Sequence, residues 1–242
     1  YTNSYFMVDP ITVALLGPEG SYSDAALKDF ANFFKLSTTV DYAKNFPDLT
    51  SLMKSDSEDN FFFVPLVNSR GGTVHEGLVG ILDNELEIIG TQYHIIEHYL
   101  VKHKDTDIET LGNIVWSHPQ ALRQCEEFIK EKKLEGKDGG NTAIAAKRLS
   151  DKEIKGSVIC SKFAAEIYDL EVIEEILVGG PNVTRFIICK KKMVETPDQL
   201  NRNIRDYRLD ILVESSIGGK NTVLIQKLQK CGLRLTHSYP FP

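Results

Sequence analysis

Short runs of apolar, β-forming residues alternate along this chain with stretches whose apolar positions recur every three or four residues. The first run is Ile11 to Leu16, and Gly17-Pro18-Glu19-Gly20 ends it in a turn. A helix is expected next, capped by Ser23 or Asp24, with Ala26, Leu27, Phe30, Phe33 and Phe34 on its apolar face. The pattern then repeats. Phe61 to Val67 reads as a buried parallel strand, Asn68-Ser69-Arg70-Gly71-Gly72 as its turn, and Val74 to Leu82 as a helix. Asn113 to Trp116 leads to a helix capped by Ser117, with Pro119 near its first turn and Leu122, Cys125, Phe128 and Ile129 facing the core. Asn141-Thr142-Ala143 opens another helix, Ser157 to Cys160 runs as a strand into a helix near Phe163 to Tyr168, and Arg185 to Cys189 is a further strand.

Strands alternating with helices imply an α/β fold with mostly parallel sheets, whose ligands sit beyond the carboxyl ends of the strands. The β-type stretch Leu86 to Val101 is too long for a usual strand, so it is expected to pass between two lobes that flank a cleft. Lys190 to Tyr207 is polar, contains Thr196-Pro197-Asp198, and marks the best domain boundary. Beyond it come a strand at Leu209 to Val213, a Gly218-Gly219 turn, a helix from Thr222 to Lys230 closed by Gly232, and a strand from Leu233. A βαβ unit of that size has too little core to stand alone.

Composition narrows the classes. With 242 residues, 42% hydrophobic, 26% charged and a net charge of −6, the chain has no basic excess to hold a nucleic-acid backbone, and no such partner is expected. The start, Tyr1 to Pro10, lacks a basic segment followed by an apolar one, and no run of about 18 apolar residues occurs. No membrane partner is therefore expected, and the cytoplasm is the default compartment. Cys125, Cys160, Cys189 and Cys231 form no CxxC pair and read as reduced core residues. His94-Ile95-Ile96-Glu97-His98 matches the HxxEH string of inverted zinc proteases, but its flanks read as strand. Four strand residues would separate the two imidazoles by roughly 13 Å, too far for one ion. Neither a metal nor a cofactor is expected.

Helix N-termini carry unpaired N–H groups and partial positive charge, so several converging on one cleft make an anion site. Four turns qualify: Gly20-Ser21-Tyr22-Ser23, Asn68-Ser69-Arg70-Gly71, Ser117-His118-Pro119-Gln120 and Asn141-Thr142-Ala143. Capping alone explains any one of them. Asn182-Val183-Thr184-Arg185-Phe186 adds a hydroxyl and a guanidinium at the start of a strand, and Arg can clamp a carboxylate bidentately. A strand-opening Thr and a surface Arg would give the same pattern.

Taken together, GPEGSYS (Gly17 to Ser23), VPLVNSRGGTV (Val64 to Val74), SHPQALRQC (Ser117 to Cys125), NTAIAAK (Asn141 to Lys147) and PNVTRF (Pro181 to Phe186) resemble the prephenate dehydratases in order and spacing. The resemblance implies a two-lobed catalytic domain like type II periplasmic binding proteins over residues 11–192, a linker at 193–206, and a partial ACT-like, ferredoxin-like α+β module at 207–242. It implies decarboxylative dehydration of prephenate, a small dicarboxylate, in a homodimer or homotetramer. Thr184 would assist the departing hydroxyl, and Asn68 is the second residue expected to be catalytic. Ser69, Ser21, Ser23, Asn141, Thr142 and Ala143 would line the substrate cleft, Arg185 would clamp a carboxylate, and Phe186 would pack the cleft wall.

This chain also departs from the family's pattern. Val67 stands where a Glu usually precedes the Asn, Ser21 replaces a Thr, and Tyr22 replaces a Phe. The positions of the family's phenylalanine-binding motifs fall on Gly219-Lys220-Asn221 and Tyr239-Pro240-Phe241-Pro242, which match neither. Phenylalanine control in the family's manner is not expected. A non-catalytic small-molecule sensor on the same fold is the alternative, favoured by Val67; the intact TRF string favours the enzyme.

Overall fold

A computed structural model describes residues 10–54 and 60–191, so the expected linker at 193–206 and the ACT-like module at 207–242 lie outside the described residues. The chain begins with β1 (Ile11–Leu16), α1 (Tyr22–Phe34), β2 (Thr38–Ala43), α2 (Phe46–Lys54), β3 (Asn60–Asn68), the two-residue β4 (Gly72–Thr73), α3 (His75–Asp83) and β5 (Leu86–Ile95). It then crosses to a second sheet as β6 (His98–His103), β7 (Ile114–Ser117), α4 (Pro119–Gln124), α5 (Glu126–Glu131), β8 (Glu135–Asp138), α6 (Thr142–Ser150), β9 (Ser157–Cys160), α7 (Lys162–Ile167) and β10 (Leu170–Ile176). A second crossover returns it as β11 (Val183–Lys191).

The strand order is β2-β1-β3-β11-β5, with β4 against β3, in the first sheet, and β10-β6-β9-β7-β8 in the second. This is the expected two-lobed α/β arrangement, and the long β-type stretch does pass between lobes. The expectation of mostly parallel sheets needs correction. β1 runs parallel to β2 and β3, but the returning β11 enters between β3 and β5 and is antiparallel to both. In the second sheet β7 is parallel to β8 and β9, while β6 is antiparallel to β9 and β10.

Each face of the first sheet is sealed separately. Ala14, Phe62, Val64, Ile187 and Cys189 pack with Leu49, Met53 and Ile81 of α2 and α3, and Val13, Leu15, Phe63, Phe186 and Ile188 pack with Ala26 and Leu27 of α1. That division follows from the two-residue period of a strand. The second sheet is likewise covered by Ala143, Ala146, Leu149, Ala164 and Ala165 on one side and by Cys125 with Leu122 and Phe128 on the other. Phe33 and Phe34, expected on the apolar face of α1, are instead 80% and 54% exposed.

Candidate functional site

The returning strand brings Thr184 directly opposite Asn68 in register. Asn68 Nδ2 donates to Thr184 Oγ1 at 3.0 Å, and both residues are buried. The amide is held in turn by its own loop, because the N–H groups of Arg70 and Gly71 donate to Asn68 Oδ1 at 3.0 and 2.7 Å. Sequence alone makes this local turn, since Asn side chains readily accept from backbone two residues on. The consequence is chemical: Thr184 Oγ1 already accepts a hydrogen bond, so its own proton is free to be donated elsewhere.

Around this pair the loops at the two sheet connections are bonded together. Ser69 Oγ donates to the Pro181 carbonyl at 3.0 Å and accepts from Val183 N–H at 2.9 Å, and Arg70 Nη2 donates to the Gly180 carbonyl at 3.0 Å. Asn68 Nδ2 also donates to Asn182 Oδ1 at 2.9 Å, and Asn182 Nδ2 donates to Gln124 Oε1 of α4 at 3.0 Å. Gln124 Oε1 meets His98 Nε2 at 2.8 Å, and His98 Nδ1 meets the Tyr22 hydroxyl of α1 at 2.8 Å. Thr184 thus heads a continuous chain of polar side chains that joins the first lobe to the second and returns to the first.

The remaining expected site residues divide into two groups. Asn141 caps α6 by accepting from Ala143 N–H at 2.8 Å, and its Nδ2 donates across the lobes to the Gly17 carbonyl at 3.4 Å. Thr142 and Ala143 are buried in the first turn of α6, and Ser23 is buried in that of α1. Ser21, not Ser23 or Asp24, is the α1 cap: its Oγ accepts from Asp24 N–H and donates to the Leu16 carbonyl, so its hydroxyl is committed to the backbone. Likewise His118, not Ser117, caps α4, while Ser117 Oγ donates to the Ile159 carbonyl at 2.6 Å.

Two expectations are corrected by strand alternation. Arg185 leaves β11 on the opposite face from Thr184 and packs beside Val67 and Thr91, with Nε donating to Thr91 Oγ1 at 3.1 Å. The two side chains therefore do not converge on one point. Phe186 does return to the Thr184 face, but it is a core residue, 2% exposed and stacked on Phe63 with ring centroids 5.0 Å apart, and not a cleft wall.

Electrostatics around the site are dominated by burial. Desolvation lowers the pKa of His98 and of His118 below the ordinary imidazole value and raises that of Tyr22 well above the ordinary phenol value. It also pushes the thiols of Cys125, Cys160 and Cys189 up to about 12, which keeps them uncharged. His94 and His98 lie on β5 and β6, as strand flanks require, and His94 pairs with Asp29 while His98 pairs with Tyr22 and Gln124. Among the described residues no group of three or more His, Cys, Asp or Glu could hold a metal ion, and no helix is long and apolar enough to cross a membrane.

Sequence reading missed Gln124, Asn182, His98 and Tyr22. Gln124, Asn182 and Tyr22 lie inside strings already singled out, SHPQALRQC, PNVTRF and GPEGSYS, and an amide, unlike a capping Ser, carries no local signal of its distant partner. His98 was visible only as half of a zinc motif.

Comparison with known proteins follows the same outline. The family model described as prephenate dehydratase matches residues 13–194. The prephenate dehydratase of Methanocaldococcus jannaschii is 30% identical over 200 residues, covering 81% of this chain and 69% of that protein. Several other curated relatives are longer, and the chain spans about half their length. The solved prephenate dehydratase of Staphylococcus aureus superposes with a TM-score of 0.61 at 20% identity, over 75% of this chain and 67% of that one. A structure described as GqqA, a novel type of quorum quenching acylase, superposes with a TM-score of 0.63 at 22% identity, over 77% of this chain and 66% of that one. At such identities these two likenesses establish the fold alone.

Proposed function

The chain belongs to the prephenate dehydratase family, and we propose that it performs the reaction of that name, converting prephenate to phenylpyruvate, carbon dioxide and water. The observation that carries this reading is the Asn68–Thr184 hydrogen bond, which leaves the threonine proton as the unused donor. In the reaction the bond between the ring and its carboxylate breaks, and that electron pair becomes a ring double bond. The ring C–O bond breaks in concert, and the hydroxide leaves with a proton delivered from Thr184, which is replenished from water. Aromatisation supplies the driving force. The protein's part is to orient the substrate and assist the leaving group, the latter an effect of about 10² to 10⁴ in rate.

Asn68 polarises and aims Thr184, because its amide cannot rotate while Arg70 and Gly71 hold Oδ1. The first turns of α1 and α6, with Asn141, Thr142 and Ala143, lend their positive dipole ends to the two substrate carboxylates. Activity requires no metal or cofactor in this scheme. The proposed setting is cytoplasmic and homo-oligomeric, and residues 207–242 serve packing or dimer contact without binding phenylalanine in the family's manner.

The alternative is a non-catalytic sensor, which Val67 favours by removing the acid that usually precedes Asn68. Incubation with prephenate, read by the absorbance of phenylpyruvate enolate in base, separates the two. Product at a rate that scales with enzyme supports the lyase; saturable prephenate binding by calorimetry with no product supports the sensor.

A further inference from the structure

Two segments connect the sheets, one between Ile95 and His98 and one between Ile176 and Val183, and Ile96 N–H ties the first to the second by donating to the Asn182 carbonyl at 2.7 Å. Asn182 sits on the second connection, and His98 opens β6 directly after the first. Resting on the dehydratase reading above, we propose that His98 is a positioning residue for Thr184, fixed as its Nε2–H tautomer, and that Tyr22 makes this chain's interlobe connection responsive to protonation of that imidazole.

The tautomer follows from hydrogen-bond polarity traced outward from groups whose roles cannot change. The N–H groups of Arg70 and Gly71 only donate, so the Asn68 atom they reach is oxygen and the other is Nδ2. Nδ2 donates, so the Asn182 atom facing it is Oδ1, and Asn182 must present Nδ2 to Gln124. Gln124 therefore presents Oε1, which only accepts, and His98 Nε2 must carry a hydrogen to meet it. Each amide is oriented by the one before it. Losing the His98 donor would free Gln124 to rotate, and with it the outer partner that holds Asn182 against Asn68.

The other edge of the ring is not so determined. His98 Nδ1 and the Glu97 carbonyl both lie 2.8 Å from the single Tyr22 hydroxyl. With His98 neutral, two acceptors compete for one phenol hydrogen. With His98 protonated, Nδ1–H donates to the phenol oxygen while the phenol donates to the carbonyl, and every group is satisfied. Tyr22 thus favours the charged imidazole against burial, since His98 is only 2% exposed. Arg70, on the β3–β4 turn, disfavours that charge, as burial does. Glu97 and Tyr99, the sequence neighbours of His98, act on the Tyr22 phenol, as do Cys125 and Cys160, which are uncharged thiols. A Phe, the family's usual residue at this position, would offer Nδ1 nothing.

Nuclear magnetic resonance of the full chain carrying nitrogen-labelled histidine tests the tautomer without reference to activity, with His98 assigned by difference against His98→Gln. A hydrogen on Nε2 of neutral His98 is expected, and one on Nδ1 would overturn the proposal. In Tyr22→Phe the imidazole should titrate at lower pH than in the parent; an unchanged or raised titration removes the role given to Tyr22. Kinetics supply the functional half. His98→Leu should lower kcat by about 100-fold with KM within a few-fold, as for misplacement of a reacting group, and His98→Gln, which restores an N–H toward Gln124, should recover most of it. Loss confined to KM, or no recovery in the Gln variant, would reduce His98 to a structural role. A parent protein inactive on prephenate would refute the dehydratase reading, while the tautomer measurement would still decide the hydrogen-bond assignment.

Discussion

Val67 on β3 and Arg185 on β11 face each other in register across an antiparallel pair, and Arg185 Nη1 is buried there without a hydrogen-bond partner among the described residues. The position opposite this partly unpaired guanidinium is thus apolar. An acid at 67, the residue type the resemblance leads one to expect, would stand in the right row to meet it.

Val67→Glu should therefore couple favourably to Arg185, by about 1 kcal/mol, the upper range for opposite charges directly across an antiparallel pair. A double-mutant cycle with Arg185→Gln, read by urea unfolding, isolates that value from the packing lost when Val67 leaves the α2–α3 face of the core. Zero coupling would show that the two side chains do not meet.

Thr184→Ala should lower kcat on prephenate by at least about tenfold and leave KM within a few-fold, because the hydroxyl is assigned to the departing group and not to ground-state binding. Thr184→Ser keeps the Asn68 hydrogen bond and the free proton, and should retain most of the rate. A change in KM alone would move Thr184 from catalysis to binding.

The turns were the legible part of this chain. Gly17 to Gly20, Asn68 to Gly72 and Asn141 to Ala143 announce themselves through backbone chemistry that is local, and the structure places all three where strands of the sheets end. Edge strands were not legible. β8, Glu-Gly-Lys-Asp, carries no apolar pattern, and in β10 three Glu in seven residues interrupt the apolar Leu170, Val172, Ile173 and Ile176; each strand has only one neighbour in its sheet. Thr38–Ala43 failed for the same reason, being the outer strand of the first sheet. Within the site, Asn68 and Thr184 were each singled out from their own strings, but their pairing and the amide chain through Asn182 and Gln124 to His98 depend on contacts between residues 26 to 116 positions apart. No local period encodes those.

Prolonged dialysis against a chelator should leave prephenate turnover unchanged. His94 Nδ1 is engaged by Asp29, and both ring nitrogens of His98 are engaged, by Tyr22 and Gln124, so His98 presents no unpaired nitrogen to an ion. Activity lost on dialysis and restored by zinc would mean that those bonds give way to a metal.

Phe186 separates a core role from a binding role. Its ring lies 5.0 Å from that of Phe63 with planes only 11° apart, and Val13, Leu15 and Leu27 complete the cluster beneath α1. Truncation to Ala would empty a closed space, and closed spaces in cores collapse only partly. Phe186→Ala is expected to destabilise by about 3 to 5 kcal/mol in denaturant unfolding. Phe186→Leu, which keeps most of the volume, should cost far less and should leave KM for prephenate unchanged, because a ring in the core makes no contact with substrate. A stable Leu variant with a KM raised tenfold would instead return Phe186 to the cleft wall, and would require the sheet to present its α1 face to the ligand at that point. The alternation along β11 argues against that outcome: Phe186, Ile188 and the opposing Phe63 form one apolar row, and the row is covered by α1 along its length.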